Sequence, residues 1–391
     1  NTVCDADCFY CPGGGYSGVG PGVPSAEQLR FERVEDYWGK DLPVNKGMWN
    51  FDEIRFDSYR DITVAFESFK AGNLDYWNET SSKNWAMAYD FPAIENGEIE
   101  RQEVRLERGM PMQAFVLNQR RPKFQDRRAR QALNLAFDFE WTNKNLFFGQ
   151  YERVESYFQN SELAAPKALP EGRELEILET VRDQVPEEVF TTVHQNPTNN
   201  DQTEMRSNLR KAVKLLREAG WQVKDGALTN TKTGEQMNIE FLIVSPLFER
   251  IIQPYLRNLN RLGIKGSIRL VDSAQYTRRL NNFDYDVVVG NFGQSESPGN
   301  EQRDYWGSEA ADREGSMNLI GIKDPAIDKL IDYIIFAKDR EELVAATHAL
   351  DRVLLWHDFV VPQWFSPSQR IAYRSHYGKP DKLPGLTPGS I

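Results

Sequence analysis

The stretch that decides the fold lies between residues 238 and 289 and begins Asn238-Ile239-Glu240-Phe241-Leu242-Ile243-Val244. Its apolar residues have the spacing and length of a strand. A helix over 247–262, with a kink at Pro254, and a strand over 267–271 are predicted next. A short helix over 273–280 leads to the apolar run Tyr285-Asp286-Val287-Val288-Val289, which predicts a fully buried strand. Strands that alternate with helices predict an α/β fold with parallel strands and right-handed crossovers.

Cap residues place the other helices. Asp61, Asp126 and the pair Asp324-Pro325 each stand where a helix is predicted to begin, because a short polar side chain caps free amides and proline suits the first helical position. The helix after Asp61 lies between strands predicted at 54–56 and 74–76, which indicates a β-α-β unit. Leu133, Ala136, Phe137 and Trp141 share one predicted face of the helix after Asp126. The remaining predictions are helices at 207–219 and 341–356, an extended segment at 359–373 and a polar surface excursion at 160–205.

Composition limits the classes of function. The 391 residues exceed one ordinary domain of ~100–200 residues, so we expect at least two lobes. The 58 acidic and 47 basic residues give a net charge of −11, which argues against a nucleic-acid-binding surface. No run approaches the ~20 consecutive apolar residues of a membrane span, so we expect a water-soluble protein. The chain has no Walker loop, no G-x-S-x-G elbow and no zinc-type spacing of its four histidines, and this favours a binding module over an enzyme.

All three cysteines, Cys4, Cys8 and Cys11, fall in a Gly- and Pro-rich opening segment. A long body without cysteine suits an oxidising compartment such as the periplasm. The chain opens without a basic segment or an apolar run, so we expect that the signal peptide of an exported protein is not part of this sequence. The C-x3-C-x2-C spacing resembles the cluster loop of radical S-adenosylmethionine enzymes. That resemblance implies a [4Fe–4S] cluster and S-adenosylmethionine if this leader is native.

Short motifs along the rest of the chain form a second pattern. They include FERVEDYWGKDLPVN at 31–45, NFDEIRFD at 50–57, AFESFKAG at 65–72, KNWA at 83–86, AFDFEW at 136–141 and SYFQN at 156–160. In this order and spacing they closely resemble the family 5 extracellular solute-binding proteins of ABC transporters. Within that family they resemble the YejA-like oligopeptide and microcin C binders. The resemblance covers about residues 30 to 391.

The resemblance implies an α/β, bilobal fold of the periplasmic-binding-protein type (class II, cluster C) with an incomplete first lobe. Residues 30–115 and 359–391 would form the partial first lobe, and 116–358 the second. Hinge strands would lie near 114–118 and 362–365. Residues 1–29 would be a Gly/Cys-rich leader of uncertain origin.

The resemblance also implies the site. The terminal amine of a bound peptide needs a carboxylate. Peptide-binding relatives supply an Asp after the Tyr-Asp strand, whereas Gln294 or Ser295 stands at about that position here, so Glu296 is the candidate substitute. The candidate ligand-binding residues are Asn78, Glu79, Thr80 and Trp85 from the first lobe, and Asn291, Glu296, Asn300, Arg303, Tyr305 and Trp306 from the second. The alternative for each is an ordinary loop or core residue, and core packing is the favoured role for Trp364.

These observations predict a binding protein without catalytic residues or cofactor. The resemblance implies a monomer in the periplasm whose lobes close on an oligopeptide or peptide conjugate, and which then presents its closed form to a membrane permease. The competing hypothesis is an iron–sulfur enzyme of the radical S-adenosylmethionine type, which rests on Cys4, Cys8 and Cys11 alone.

Overall fold

The computed structural model describes residues 16–18, 28–59 and 61–378. The three cysteines and most of the predicted leader therefore lie outside the described residues, and the iron–sulfur cluster stays a prediction. Among the helices described, none combines the length and apolar composition needed to cross a membrane.

Strands are distributed along the whole described part of the chain. They are β1 Tyr16–Gly18, β2 Gln28–Arg33, β3 Glu53–Asp57, β4 Tyr76–Asn78, β5 Ile99–Arg105, β6 Met112–Leu117, β7 Glu152–Arg153, β8 Trp221–Lys224, β9 Ala227–Asn230, β10 Asn238–Ile243, β11 Lys265–Leu270, β12 Val287–Phe292, β13 Val360–Pro362, β14 Trp364–Phe365 and β15 Ser368–Arg374.

The α-helices begin where the sequence supplies caps. They are α1 Ile62–Lys70, α2 Ser82–Met87, α3 Pro92–Glu95, α4 Arg127–Ala136, α5 Phe139–Leu146, α6 Gly172–Glu179, α7 Glu188–Thr191, α8 Gln202–Glu218, α9 Glu249–Arg261, α10 Ser273–Asn281, α11 Glu301–Trp306, α12 Pro325–Ile335 and α13 Arg340–Trp356. The three predicted caps are confirmed, because Asp61, Asp126 and Asp324 each accept a hydrogen bond from a main-chain amide of the first turn.

The chain divides into a smaller unit, Asn1–Val104 with Gln369–Ile391, and a larger unit, Arg105–Ser368. The lobe boundaries predicted at 115 and 358 both fall inside the larger unit, as do the predicted hinge segments at 114–118 and 362–365. Strand pairing explains the difference: β6 forms hydrogen-bonded ladders with both β12 and β13, so all three strands belong to one sheet.

The larger unit is built on a five-stranded sheet in the order β11-β10-β12-β6-β13. The parallel strands β10, β11 and β12 confirm the α/β prediction, while β6 runs antiparallel to both of its neighbours. Alternate residues of β6 enter two different hydrophobic cores, Ala114 and Val116 on one face and Phe115 and Leu117 on the other. A sheet buried on both faces accounts for the continuous apolar run of β12.

Two sequence predictions for the larger unit are wrong. Residues 160–205 are not a surface excursion, because α6 packs against α13 and its Ile177 and Leu178 lie in the core. Trp141 does not share the buried face of α4, since that helix ends at Ala136 and α5 begins at Phe139, which leaves Trp141 39% exposed.

The smaller unit contains two three-stranded sheets, β1-β2-β3 and β4-β15-β5. Strands β3 and β4 flank α1 but lie in different sheets, so the predicted β-α-β unit is wrong. Helix α1 ends at Lys70, and Gly72 just beyond it adopts a φ of +86°, a conformation that favours glycine. The core of the smaller unit is mainly aromatic and includes Phe66, Phe69, Trp77, Trp85 and Tyr89.

Candidate functional site

Polar segments of the larger unit meet where the parallel strands end. In open α/β sheets, ligands bind at the carboxyl ends of the strands. Residues 293–300 follow β12, and the Gly109 amide, which precedes β6, donates to Oε1 of Glu296 at 3.2 Å. Asn160 Nδ2 donates to the carbonyls of Leu106 and Arg108 at 2.9 and 2.8 Å. Residues 106–111, 155–162 and 293–300 together form what we call the strand-end edge.

Glu296 carries a partly uncommitted carboxylate at the strand-end edge. Its side chain is exposed, and among the described residues Oε2 makes no hydrogen bond or ion pair. Arg340 lies next to it but binds the main-chain carbonyl of Glu296, while its Nε donates to Glu162 Oε1 at 2.9 Å. The carboxylate of Glu296 therefore remains able to accept hydrogen bonds from a cation.

Gln294 presents a donor rather than an acceptor. Its Oε1 accepts a hydrogen bond from Gln302 Nε2 at 2.6 Å, and Gln302 Oε1 in turn accepts from Trp306 Nε1 at 2.9 Å. This chain fixes the orientation of both amides and leaves Gln294 Nε2 buried without a partner. The Gln294 amide carries no negative charge and its oxygen already accepts from Gln302, so it offers an ammonium a weaker partner than the Asp of peptide-binding relatives.

A second glutamine pair, which the sequence analysis missed, has the same arrangement. Gln113 Nε2 donates to Gln363 Oε1 at 2.9 Å, and Gln363 Nε2 is buried without a partner. The main-chain amide of Gln363 also donates to the main-chain carbonyl of Gln113 at 2.9 Å. The signal that could have found the pair is a polar residue directly after the apolar run Val360–Pro362.

Exposed apolar side chains follow two of the parallel strands. Val244 comes directly after β10, Leu247 follows it, and Leu270 is the last residue of β11. They are 41%, 68% and 45% exposed. The ends of the parallel strands therefore present apolar surface as well as polar groups.

The other residues predicted from the second lobe have different surroundings. Tyr305 donates its hydroxyl to the Gly293 carbonyl at 3.1 Å and so belongs to the strand-end edge, and its burial raises the pKa of the phenol. Arg303 pairs instead with Asp332 of α12 at 2.7 Å. Trp306 is fully buried against Tyr157 and Phe292, so it has no exposed surface with which to make the predicted ligand contact. The remaining two, Asn291 on β12 and Asn300 before α11, are exposed.

In the smaller unit only part of the predicted set is exposed. Asn78 and Thr80 are exposed, but Glu79 is buried and accepts hydrogen bonds from Trp77 Nε1, Tyr89 Oη and the Ser81 amide at 3.1, 3.0 and 2.7 Å. Trp85 is also buried. Its indole donates to Glu103 at 2.6 Å, and the Arg101 guanidinium lies 4.1 Å from its ring. The structure thus gives Glu79 and Trp85 roles in the core of this unit instead of the predicted ligand contacts.

Trp364 packs against Phe147 with ring centroids 4.6 Å apart, and this confirms its favoured role in the core. In the part of the chain that the structure describes, no three His, Cys, Asp or Glu side chains form a group that could hold a metal ion.

The sequence matches the family model described as bacterial extracellular solute-binding proteins, family 5 Middle, over residues 22–313. The chain is 49% identical over 364 residues to a probable peptide-binding protein YejA of Agrobacterium fabrum, a match that covers 93% of this chain and 59% of the relative. It is 50% identical over 358 residues to the uncharacterized protein y4wM of Sinorhizobium fredii, which covers 91% of this chain and 54% of that protein. The chain thus spans just over half the length of these relatives.

The fold is similar to that of the oligopeptide-binding protein AppA from Bacillus subtilis, solved in complex with a nonapeptide. The TM-score is 0.65 at 18% sequence identity, and the match covers 93% of this chain and 63% of AppA. At this identity the similarity supports the fold alone.

Proposed function

Because this chain belongs to the family 5 bacterial extracellular solute-binding proteins, we propose that it binds oligopeptides or peptide conjugates for an ABC importer. The free carboxylate oxygen of Glu296 at the strand-end edge is the observation that carries the proposal. A peptide's terminal ammonium needs an acceptor of this kind, since charge-assisted hydrogen bonds are the stronger ones. The name of the Agrobacterium relative, a probable peptide-binding protein, supports the same class of ligand.

The other groups near the strand ends suit an extended peptide. Val244, Leu247 and Leu270 offer apolar surface to peptide side chains. Tyr305 holds the start of the segment that carries Glu296.

The proposal includes a periplasmic location, a membrane permease as partner, a monomeric state and no catalysis or cofactor. The first two follow from the family, whose members are extracellular solute-binding proteins. A cysteine-free body suits an oxidising compartment, and this supports the location.

Isothermal titration calorimetry with peptides drawn from a mixed library tests the proposal. We expect the Glu296→Gln variant to bind peptides with a free terminal amine at least ~10-fold more weakly, a loss of about 1.4 kcal/mol. Acetylation of the peptide amine weakens binding to the parent chain by a similar factor and has no further effect on the variant. Glu235→Gln, which neutralises an exposed carboxylate in the turn before β10, leaves the affinity unchanged.

Two results would contradict the proposal at different levels. If the variant binds free-amine peptides as tightly as the parent chain, Glu296 is not the anchor. If the parent chain captures no peptide from the library, the ligand class itself is wrong.

A further inference from the structure

A groove on the larger unit lies apart from the strand-end edge. It has a volume of about 690 Å³ and is lined by α4, α8, the segment 194–198 and the end of α13. None of its lining residues belongs to 106–111, 155–162 or 293–300. Ligand sites commonly have volumes of ~300–1,000 Å³, so the groove is large enough for a small molecule.

Neutral polar side chains are the largest group among the residues that line the groove, beside five charged and four apolar residues. Asn134, Asn196 and Asn208 are buried at its floor, and Gln195 and Ser207 make no hydrogen bond through their side chains among the described residues. The charged lining residues include both signs, and Lys214 Nζ lies 3.9 Å from Glu218 Oε1. Amides and hydroxyls that both donate and accept suit a ligand with the same double capacity.

Two buried polar atoms of the lining residues have no partner. Asn196 Nδ2 donates to the Val154 carbonyl at 2.9 Å, which fixes the amide and leaves Oδ1 as an unpaired acceptor. Trp356 Nε1 is an unpaired donor, and its ring meets that of His194 edge-on at 5.1 Å. Buried polar groups are normally hydrogen-bonded, so an acceptor and a donor left unpaired among the residues that line one groove need an explanation.

A cavity of about 10 Å³ shares Asn134, His194, Asn196 and Asp358 with the groove. That volume is about the minimum that holds one water molecule, and hence one hydroxyl group. The unpaired hydroxyl of Tyr157 also lines it. A carboxylate would face the acceptor Asn196 Oδ1 and the carboxylate of Asp358, and an ammonium would face the indole donor, whereas a hydroxyl satisfies both kinds of group.

We propose that this groove is a second ligand site of the larger unit and that it binds a neutral, polyhydroxylated molecule of the saccharide class. One hydroxyl enters the small cavity, and the ring lies along the amide-lined floor next to Trp356. The proposal does not rest on the proposed peptide-binding function, because the groove shares no lining residue with the strand-end edge and only the small cavity meets that edge, at Tyr157.

The test uses the 391-residue chain with a ¹⁵N label and follows the indole signals of its nine tryptophans by NMR. Trp356→Phe assigns the signal of Trp356. We titrate with glucose and maltotriose as free saccharides, and with one short peptide that either carries or lacks an O-linked glucose. The expected result is a saturable shift of the Trp356 signal with the free saccharides, while the signal of Trp141, which does not line the groove, stays in place.

A groove-filling variant provides the control on location. Ser207→Trp should abolish the shift, whereas Arg210→Trp, on the same helix but outside the groove, should retain it. Circular dichroism shows whether each variant is folded. If Ser207→Trp does not fold, Lys211→Ala serves in its place, with an expected weakening of at least ~3-fold.

The outcomes separate the sources of the ligand. A shift caused only by the glucosylated peptide, and not by the same peptide without glucose, identifies a glycoconjugate as the source and supports the proposal. No shift of the Trp356 signal with any saccharide or with the glucosylated peptide overturns it. A shift that persists unchanged in a folded groove variant overturns it as well.

Discussion

In the smaller unit the buried carboxylate of Glu79 accepts hydrogen bonds from two aromatic side chains and one amide, whereas in the larger unit that of Asp351 accepts from a serine hydroxyl and two amides. Glu79 thereby joins members of an aromatic core, while Asp351 ties the main chain at Tyr157 and Ala165 to helix α13. Burial raises the pKa of Asp351 to about 6 despite its three hydrogen bonds. The same type of group thus organises side chains in one unit and main-chain segments in the other.

The larger unit adds a buried ion pair to this arrangement. Arg352 of α13 donates through Nε to Glu174 of α6 at 2.7 Å and through Nη1 to the Ala168 carbonyl at 2.8 Å. Both side chains are almost fully buried. We therefore expect the larger unit to respond more strongly than the smaller one to loss of a single charged group.

The largest effect is expected for Glu174→Ala. It leaves the buried guanidinium of Arg352 without its carboxylate, which costs about 3–5 kcal/mol of the free energy of unfolding. The loss of unfolding free energy is measured by urea unfolding, with hydrogen exchange of the α6 and α13 amides as the probe. Glu176→Ala, which breaks the exposed pair with Arg173, should cost less than ~1 kcal/mol. Equal losses in the two variants would contradict the prediction.

A pH-dependent effect is expected at His194. Burial, and then the charges of Arg127, Arg153 and Arg352, lower the pKa of His194 from 6.5 to about 4. A lowered folded-state pKa contributes stability above pH 6.5, and this contribution is lost as the pH falls from 6.5 to about 4 because the unfolded chain binds the proton first. The parent chain should lose about 3 kcal/mol more over this range than His194→Gln, by the relation of ~1.4 kcal/mol per pKa unit.

Urea unfolding at several pH values measures this difference. His376→Gln, at an exposed histidine of the smaller unit, is the matched control and should follow the parent chain throughout. Parallel pH profiles for the parent chain and His194→Gln would show that His194 titrates alike in the folded and unfolded chains.

Glu79→Gln tests the smaller unit. Replacing one oxygen by an amide donor opposes either the Ser81 amide, which donates to Oε1, or the Trp77 and Tyr89 side chains, which donate to Oε2, and hydrogen bonds to charged groups contribute about 1.5–3 kcal/mol each. We expect a loss of about 2 kcal/mol, seen as faster hydrogen exchange over 76–89. Glu95→Gln, at an exposed position, should leave this exchange unchanged. Unchanged exchange in Glu79→Gln would mean that its hydrogen bonds contribute little.

The smallest effect is expected where the two units resemble each other. Asp61 caps α1 of the smaller unit, and Asp201 caps α8 of the larger. Each carboxylate accepts hydrogen bonds from two main-chain amides of its helix. Replacing either by Ala should cost about 1 kcal/mol, because the cap contribution is local. Hydrogen exchange in the first turn of each helix measures it. A loss confined to one unit would show that the surroundings of the helix set the cap contribution.

The sequence allowed the prediction of elements that are specified locally. Strands β10 and β12 have apolar runs of the right length, and Asp126 caps α4 in both the prediction and the structure. Trp141 was misplaced because one non-helical residue pair rotates α5 away from the face of α4. The burial of α6 could not be predicted, since α6 packs against α13, whose Arg352 lies 178 residues beyond its partner Glu174.

The candidate site was predictable in part. Glu296 and Tyr305 could be found because they follow a predicted strand end, where polar residues gather. Glu79 was assigned to a ligand because a carboxylate is usually exposed, and only the positions of Trp77 and Tyr89 show that it is a core group. The glutamine pair Gln113 and Gln363 escaped notice because its members are 250 residues apart.

The pairing of β6 with β13 has a consequence for synthesis of the chain on the ribosome. Gln113, at the start of the larger unit, contacts a residue made 250 positions later. At about 5–20 residues per second, β6 is made roughly 10–50 s before its last partner strand. During that interval β6 has a free hydrogen-bonding edge on the side that β13 later occupies. Until β13 leaves the ribosome, the nascent larger unit therefore presents an unpaired sheet edge to other chains.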